Sequence, residues 1–131
     1  MDQLRSTRQA FRILQFAVVM FTLLAGIDKY AHVLTNWEQY MSPLFMGILG
    51  AKGTHTFFLV DGAIEILVAI GVALRPRIFA YIVSAWLMGI VINLLTTGHF
   101  YDVALRDFAL SLSAFALGRL AGTFSSRTPA A

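Results

Sequence analysis

Hydrophobic and polar positions follow one another in long blocks along this chain. Four apolar stretches stand out, and none shows the period-two alternation that is typical of a half-buried strand. Each stretch reaches the roughly 17–25 residues that a helix needs to cross a bilayer. The pattern predicts transmembrane helices at about 9–31, 55–74, 77–96 and 102–121, within one domain that covers 1–131 and ends in a flexible tail at 123–131.

The longest connection lies between the first two predicted helices. Within residues 36–50, Trp37, Tyr40, Leu44 and Ile48 recur at helix-like intervals around Pro43. Trp and Tyr are favoured at the boundary between lipid and water, so the segment is predicted to be a short interfacial helix. We expect these four side chains to bury one side against the outer ends of the first two helices.

Composition supports the same interpretation. Of the 131 residues, 58% are apolar and 13% are charged. Because a soluble domain carries about 25% charged residues, this chain lacks a water-facing shell, and we classify it as an all-α polytopic membrane protein.

The first helix is too long for a secretory signal, and Asp28-Lys29-Tyr30-Ala31-His32 is a poor cleavage site.

The basic residues predict an orientation. One side of the predicted topology holds Lys29, Lys52 and Arg106, and the other holds Arg5, Arg8, Arg12, Arg75, Arg77, Arg119 and Arg127. Positive residues accumulate on the cytoplasmic side. Both termini are therefore predicted to be cytoplasmic in a bacterial inner membrane, with the helices forming an up-down-up-down bundle.

Polar residues concentrate in the outer half of this bundle. The candidate residues for a polar or ligand site are Asp28, Lys29, Asp61, Glu65, Asn93, Arg106 and Asp107, with His32, His99 and Trp37 as secondary candidates. A charged residue at such depth costs about 2.5–3.5 kcal/mol unless it is paired or wetted. We expect Arg106 to pair with Glu65 or Asp61, which leaves Asp28 or Asp107 to receive Lys29.

Three interpretations of these residues stay open. They form structural ion pairs between helices, or a polar cavity that opens outward and binds a small ligand or relays protons, or a site that a partner subunit completes. A metal site is not expected, because neither His32 nor His99 has the HxxxH or HxxE spacing of a metal-binding helix. No residue is assigned a catalytic role.

The residue types also exclude several kinds of chemistry. The chain contains no cysteine, which removes disulfides, thiol redox chemistry and cysteine-ligated metals. It has no flavin, haem or iron–sulfur binding pattern, so it could not supply its own electron carrier. The net charge of +3 does not indicate nucleic-acid binding, because the arginines are placed for topology. Nothing marks the chain as an enzyme on its own.

Several short motifs carry a family resemblance. The first helix ends in Gly26-Ile27-Asp28-Lys29, a segment from Asn36-Trp37 to Pro43 follows, and the second helix contains Gly62-x-x-Glu65-Ile66 and Gly71-Val72-Ala73-Leu74. The fourth helix begins with Arg106-Asp107-Phe108-Ala109-Leu110. In order and spacing, from about residue 10 to 121, these motifs resemble the DoxX-like family of small four-helix bacterial membrane proteins.

The resemblance implies a function and a set of polar positions. Relatives in that family have been linked to quinone-reducing thiosulfate oxidation, to methylamine dehydrogenase maturation and to oxidative-stress complexes. The resemblance therefore implies an accessory or assembly subunit that contacts the lipid bilayer. Its partner would be a membrane or redox protein, or further copies of the same chain. The alternative is a subunit that binds quinone or another small lipophile. The family-like positions are Lys29, Glu65, Arg106 and Asp107, whereas Asp61 departs from the pattern.

Overall fold

The computed structural model describes residues 2–35 and 37–127, and within those ranges the chain forms helices joined by short connections. The prediction of an all-α fold is confirmed for this part of the chain. The elements are α1 (Asp2–Ala31), a 3-10 helix η1 (Trp37–Tyr40), α2 (Pro43–Leu74), α3 (Pro76–Thr97) and α4 (Tyr101–Arg127).

Three of the four α-helices are long and apolar enough to cross a membrane. The candidate spans are Gln3–Ala31, Pro43–Leu74 and Pro76–Thr97. This is consistent with a membrane protein. Helix α4 is not among these spans, and it carries Arg106, Asp107 and Arg119 along its length. The fourth transmembrane helix therefore stays a prediction.

The helices are longer than the sequence pattern predicted. Helix α1 begins at Asp2 rather than near residue 9, and α4 continues to Arg127, so residues 123–127 of the predicted flexible tail are helical. Residues 128–131 lie outside the described part. Arg, Gln and Leu in the first turns of α1 are good helix formers, and apolar periodicity does not register such polar ends.

The predicted interfacial segment is helical in part, and a break at Gly50 separates it from the rest of α2. Residues 43–50 belong to α2, which begins at Pro43 after Ser42, whose hydroxyl accepts a hydrogen bond from the Leu44 amide at 3.3 Å. A kink follows at Gly50, where φ is 75° and ψ is 174°. Glycine adopts such a positive φ readily, so α2 consists of two helical stretches, one before and one after the non-helical Gly50. The predicted interfacial segment thus corresponds to η1 and the first stretch, with Asn36 not described, and the second stretch starts after Gly50 rather than at the predicted residue 55.

Helix packing brings the arginines to one end of the molecule. The Gln15 side chain of α1 donates hydrogen bonds to the carbonyls of Val72 and Ala73, both at 3.1 Å, so the start of α1 meets the end of α2. Phe11 and Phe124 stack with centroids 5.0 Å apart, which joins the end of α4 to the same place. We call this the arginine end, with Arg5, Arg8, Arg12, Arg75, Arg77 and Arg119; the side chain of Arg127 is outside the described part.

The apolar core occupies the half of the molecule nearest to the arginine end. It consists of buried side chains from all four helices: Phe11, Val18, Val72, Ala80, Val83, Leu87, Ala114, Leu117 and Ala121. Helices α3 and α4 are also joined in this region by Ser84, whose hydroxyl lies 2.9 Å from the Ser111 carbonyl oxygen and donates to it. At the opposite end, a smaller cluster of Val91, Leu94 and Ala104 packs beneath η1 and the α3–α4 connection. The predicted polar residues lie at that opposite end.

Candidate polar site

Lys29, Asp61 and Glu65 form a buried charged triad between α1 and α2. The ammonium of Lys29 lies 2.8 Å from Oε2 of Glu65 and 3.4 Å from Oδ2 of Asp61. The three residues are only 3%, 5% and 7% exposed, respectively. Asp61 and Glu65 are four residues apart, so they share the face of α2 that packs on α1. The triad therefore joins the two helices through ion pairs shielded from solvent.

The expected role of Arg106 is wrong. Arg106 is exposed on α4, and it forms no ion pair with any acid whose side chain the structure describes. The acids pair with Lys29 instead because α1, and not α4, packs along the face of α2 that carries them. Asp107 is half-buried, and the charges of Arg106 and Lys29 both act on its carboxylate.

Asp28 organises the chain that leaves α1 and is not an ion-pair partner of Lys29. Its carboxylate accepts hydrogen bonds from the backbone amides of Val33 at 2.8 Å, Leu34 at 2.9 Å and Thr35 at 3.3 Å. It also accepts one from Nε1 of Trp37 at 2.8 Å. A carboxylate can accept all four because it has two oxygens with two lone pairs each. Asp28 thus fixes the loop that carries Trp37.

Trp37 covers the triad. Its ring lies over the Lys29 ammonium, with 4.2 Å between Nζ and the ring centroid. Such a cation–π contact contributes more when the cation is desolvated, as Lys29 is here. Trp37 therefore caps the triad, as expected for a side chain that buries one side against the first two helices. Tyr40 is half-buried but packs on Phe100, with ring centroids 4.7 Å apart, next to the cluster of α3 and α4. The expectation is wrong for Leu44 and Ile48, which are 64% and 74% exposed in the stretch before Gly50.

Asn93 attaches the loop to α3. Its Nδ2 donates to the carbonyl of Tyr40 at 2.7 Å, and its Oδ1 accepts from the backbone amide of Ser42 at 3.1 Å. This side chain thereby satisfies two backbone groups between η1 and α2. Asn93 positions the cap and does not itself contact the triad.

The two histidines predicted as secondary candidates lie apart from this arrangement. His32 and His99 are both exposed, in the connections that follow α1 and α3. Across the described residues, no three His, Cys, Asp or Glu side chains are grouped so that they could hold a metal ion.

Three buried oxygen atoms in the described part have no hydrogen-bond partner. They are Oδ1 of Asp61 and the hydroxyls of Thr22 and Thr54. Neither threonine was predicted from the sequence, although each lies seven residues before a triad member, Thr22 before Lys29 and Thr54 before Asp61. A separation of seven residues is about two helical turns, so each threonine shares the buried face of its helix. Such atoms can accept a hydrogen bond from water or a ligand.

The triad has more carboxyl groups than cations. Asp61 and Glu65 lie one turn apart on α2, and the single Lys29 ammonium faces both. The arrangement can therefore take up a proton, a cation or a hydrogen-bond donor at the free Oδ1 of Asp61. The triad itself is closed to solvent. Two cavities, of about 550 and 500 Å³, lie at the arginine end.

Comparison with known proteins gives no match: no family model, curated protein or solved structure corresponds to this chain. The likeness to the DoxX-like family is carried by the motifs in the sequence alone. Two of its polar positions, Lys29 and Glu65, are in direct contact, and two others, Arg106 and Asp107, lie on α4.

Proposed function

We propose that the chain is a DoxX-like integral membrane protein that acts as an accessory or assembly subunit of a membrane complex. Its polar site would be the Lys29–Asp61–Glu65 triad, in the outer half of a four-helix up-down bundle. The triad is also the observation that carries the proposal. It places three charged side chains between two helices that are each apolar enough to cross a membrane.

A charged group at membrane depth is by default a candidate functional site, because an apolar contact between the same helices would cost less. The triad also keeps a free acceptor, Oδ1 of Asp61, although it is almost fully buried. A purely structural ion pair would be better served by full hydrogen bonding. These features favour a site that binds a ligand or exchanges a proton over a purely structural ion pair between helices.

The proposed location is a bacterial inner membrane with both termini in the cytoplasm. It is supported by the gathering of arginines at one end of the helices, opposite the triad. With that orientation the triad faces the outer half of the bilayer, and Trp37 lies at the outer interface, where tryptophan is favoured.

The test is purification of the tagged chain from its native host in mild detergent, followed by size-exclusion chromatography and mass spectrometry. An accessory subunit should co-elute with a membrane or redox protein in a fixed ratio, and Glu65→Gln should weaken that association while the chain still folds. Arg106→Gln is the matched control, because Arg106 is exposed and outside the triad. Elution of the wild type as a monomer or a homo-oligomer without another protein, or equal effects of both variants, would contradict the proposal.

A quinone- or small-lipophile-binding subunit of an oxidoreductase is the second candidate. It is favoured by one observation, the free Oδ1 of Asp61, since a quinol hydroxyl can donate to a buried carboxylate. Binding would require the Trp37 ring to move away from Lys29. Solvent extraction of the purified protein and mass spectrometry should then find a quinone in the wild type and less in Asp61→Asn.

A further inference from the structure

A cavity of about 500 Å³ lies between α3 and α4 at the arginine end. Its lining combines two cations, a tyrosine, two glycines and a threonine: Arg77, Tyr81, Gly118, Arg119, Gly122 and Thr123. The two arginines come from different helices, Arg77 from the first turn of α3 and Arg119 from the last turns of α4. The helix pair therefore brings together two guanidinium groups that are distant in sequence.

Both guanidinium groups are available to an anion. Arg77 and Arg119 are exposed, and neither forms an ion pair with an acid whose side chain the structure describes. Two other arginines at this end contact protein groups: Arg8 lies over the Phe124 ring at 5.6 Å, and Arg12 donates to the Gln15 side chain at 3.4 Å. A planar guanidinium matches the geometry of a phosphate group, which it can bind through two parallel hydrogen bonds.

Two glycines give this cavity its shape. The Tyr81 ring rests directly on Gly118, where a Cβ atom would come within 2.8 Å of the ring. A Cβ atom on Gly122 would instead meet no atom within 4 Å, so Gly122 borders open space. The absence of a side chain at Gly122 thus leaves room for a group between Arg77 and Arg119.

The surface next to the cavity is apolar. Tyr81 packs edge to face on Phe115, with centroids 5.4 Å apart, and both Phe115 and Leu112 are exposed along α4 on the side away from the arginine end. Helix α3 is itself apolar enough to cross a membrane. A molecule with its anionic group between the arginines could therefore lay hydrocarbon chains along this strip.

We propose that the Arg77–Arg119 cavity binds the phosphate headgroup of one anionic phospholipid, whose acyl chains lie along the Phe115 and Leu112 surface. The two guanidinium groups hold the phosphate, and the Tyr81 ring forms the wall where headgroup and chains meet. The positive charge selects anionic lipids, and the position between two helices makes the site discrete, unlike a diffuse basic surface.

The test measures lipid binding to the purified full chain by native mass spectrometry. Phosphatidylglycerol and phosphatidylcholine with identical acyl chains are titrated, and inorganic phosphate is added in a separate arm. We expect one phosphatidylglycerol to bind in preference to phosphatidylcholine. Arg77→Gln and Arg119→Gln should each lower the affinity about five-fold, the value for one basic residue at an anionic lipid. Arg75→Gln is the control, because Arg75 is an exposed neighbour that does not line the cavity.

A variant that fills the cavity gives an independent test. Gly122→Leu adds a side chain where space is open, so it should reduce phosphatidylglycerol binding without lowering the melting temperature. The proposal is overturned if Arg75→Gln is as damaging as Arg77→Gln, since binding would then reflect charge alone. It is also overturned if Gly122→Leu binds normally, if both lipids bind equally, or if inorganic phosphate alone displaces the lipid and so reveals a site for free anions.

Discussion

Gly26 on α1 and Gly62 on α2 face each other at van der Waals distance. A Cβ atom on Gly26 would lie 2.9 Å from the Gly62 carbonyl oxygen, and one on Gly62 would lie 2.8 Å from the Gly26 carbonyl oxygen. Small residues at such a point let two helix backbones approach closely. A Cβ atom on Gly26 would also lie 3.0 Å from Cβ of Glu65, and one on Gly62 would lie 3.1 Å from Cβ of Lys29, so this close approach of the two helices lies beside the ion pair.

Gly62→Ala should therefore destabilise the protein. The added methyl group would press on the backbone of α1, and overpacking of this kind costs about 1–3 kcal/mol. Gly89→Ala is the control, because no atom lies within 4 Å of its Cβ position. Alanine is a better helix former than glycine, so this variant should be neutral or stabilising. Thermal unfolding in detergent measures both, and equal melting temperatures for the two variants would show that the contact is looser than described.

Removing the cation of the triad should be more damaging. Lys29→Met strands two buried carboxylates, and breaking a buried ion pair from one side typically costs about 3–5 kcal/mol. The triple variant Lys29→Met, Asp61→Leu, Glu65→Met should regain much of the loss, because no buried charge is then left alone.

The control for this series is Arg106→Gln, which should change stability by less than about 0.5 kcal/mol, as exposed substitutions usually do. Chemical unfolding of the four proteins in detergent provides the comparison. A triple variant that is no more stable than Lys29→Met, or a large effect of Arg106→Gln, would argue against the pairing of Lys29 with these acids.

Asp28→Asn should loosen the cap over the triad. Asparagine has one acceptor oxygen instead of two and carries no charge, while four donors converge on this side chain. The loss of hydrogen bonds to a charged acceptor should cost about 1.5–3 kcal/mol. In a Trp86→Phe background, the fluorescence of Trp37 should shift to longer wavelength as its ring becomes hydrated. The control is Asp102→Asn, at an exposed position in the first turn of α4, which should leave the emission unchanged. An unchanged emission spectrum in Asp28→Asn as well would refute the capping role.

The helices could be predicted because long apolar blocks have few other interpretations. Their ends could not, since they depend on local features such as the positive φ of Gly50, which separates the two helical stretches of α2. From the sequence alone, a glycine that forms a turn cannot be distinguished from a glycine that breaks a helix. The polar start of α1 and the end of α4 were missed because hydrophobic periodicity stops where the helix leaves the apolar core.

The triad members were predicted from the cost of burying charge, but their pairing was not. Arg106 was expected to pair with Asp61 or Glu65 and Lys29 with Asp28 or Asp107, whereas Lys29 pairs with both Asp61 and Glu65, because the pairing depends on which face of α2 meets which helix. The contact between Gly26 and Gly62 makes that choice, and its geometry is visible only in three dimensions. Asp28 was placed in the site for the same reason, although its four hydrogen bonds all serve the loop after α1.

The orientation of the chain in a membrane can be tested by single-cysteine labelling, which is straightforward because the chain has no cysteine. Ser6→Cys lies beside the arginines at the start of α1, and His99→Cys lies in the exposed connection between α3 and α4. Because positive residues remain on the cytoplasmic side, a membrane-impermeant maleimide added to intact spheroplasts should label His99→Cys, and it should label Ser6→Cys only after lysis. Neither substitution removes a positively charged side chain, so the basic residues that direct topology are kept. Labelling of Ser6→Cys in intact cells together with protection of His99→Cys would reverse the orientation and place the triad in the cytoplasmic half.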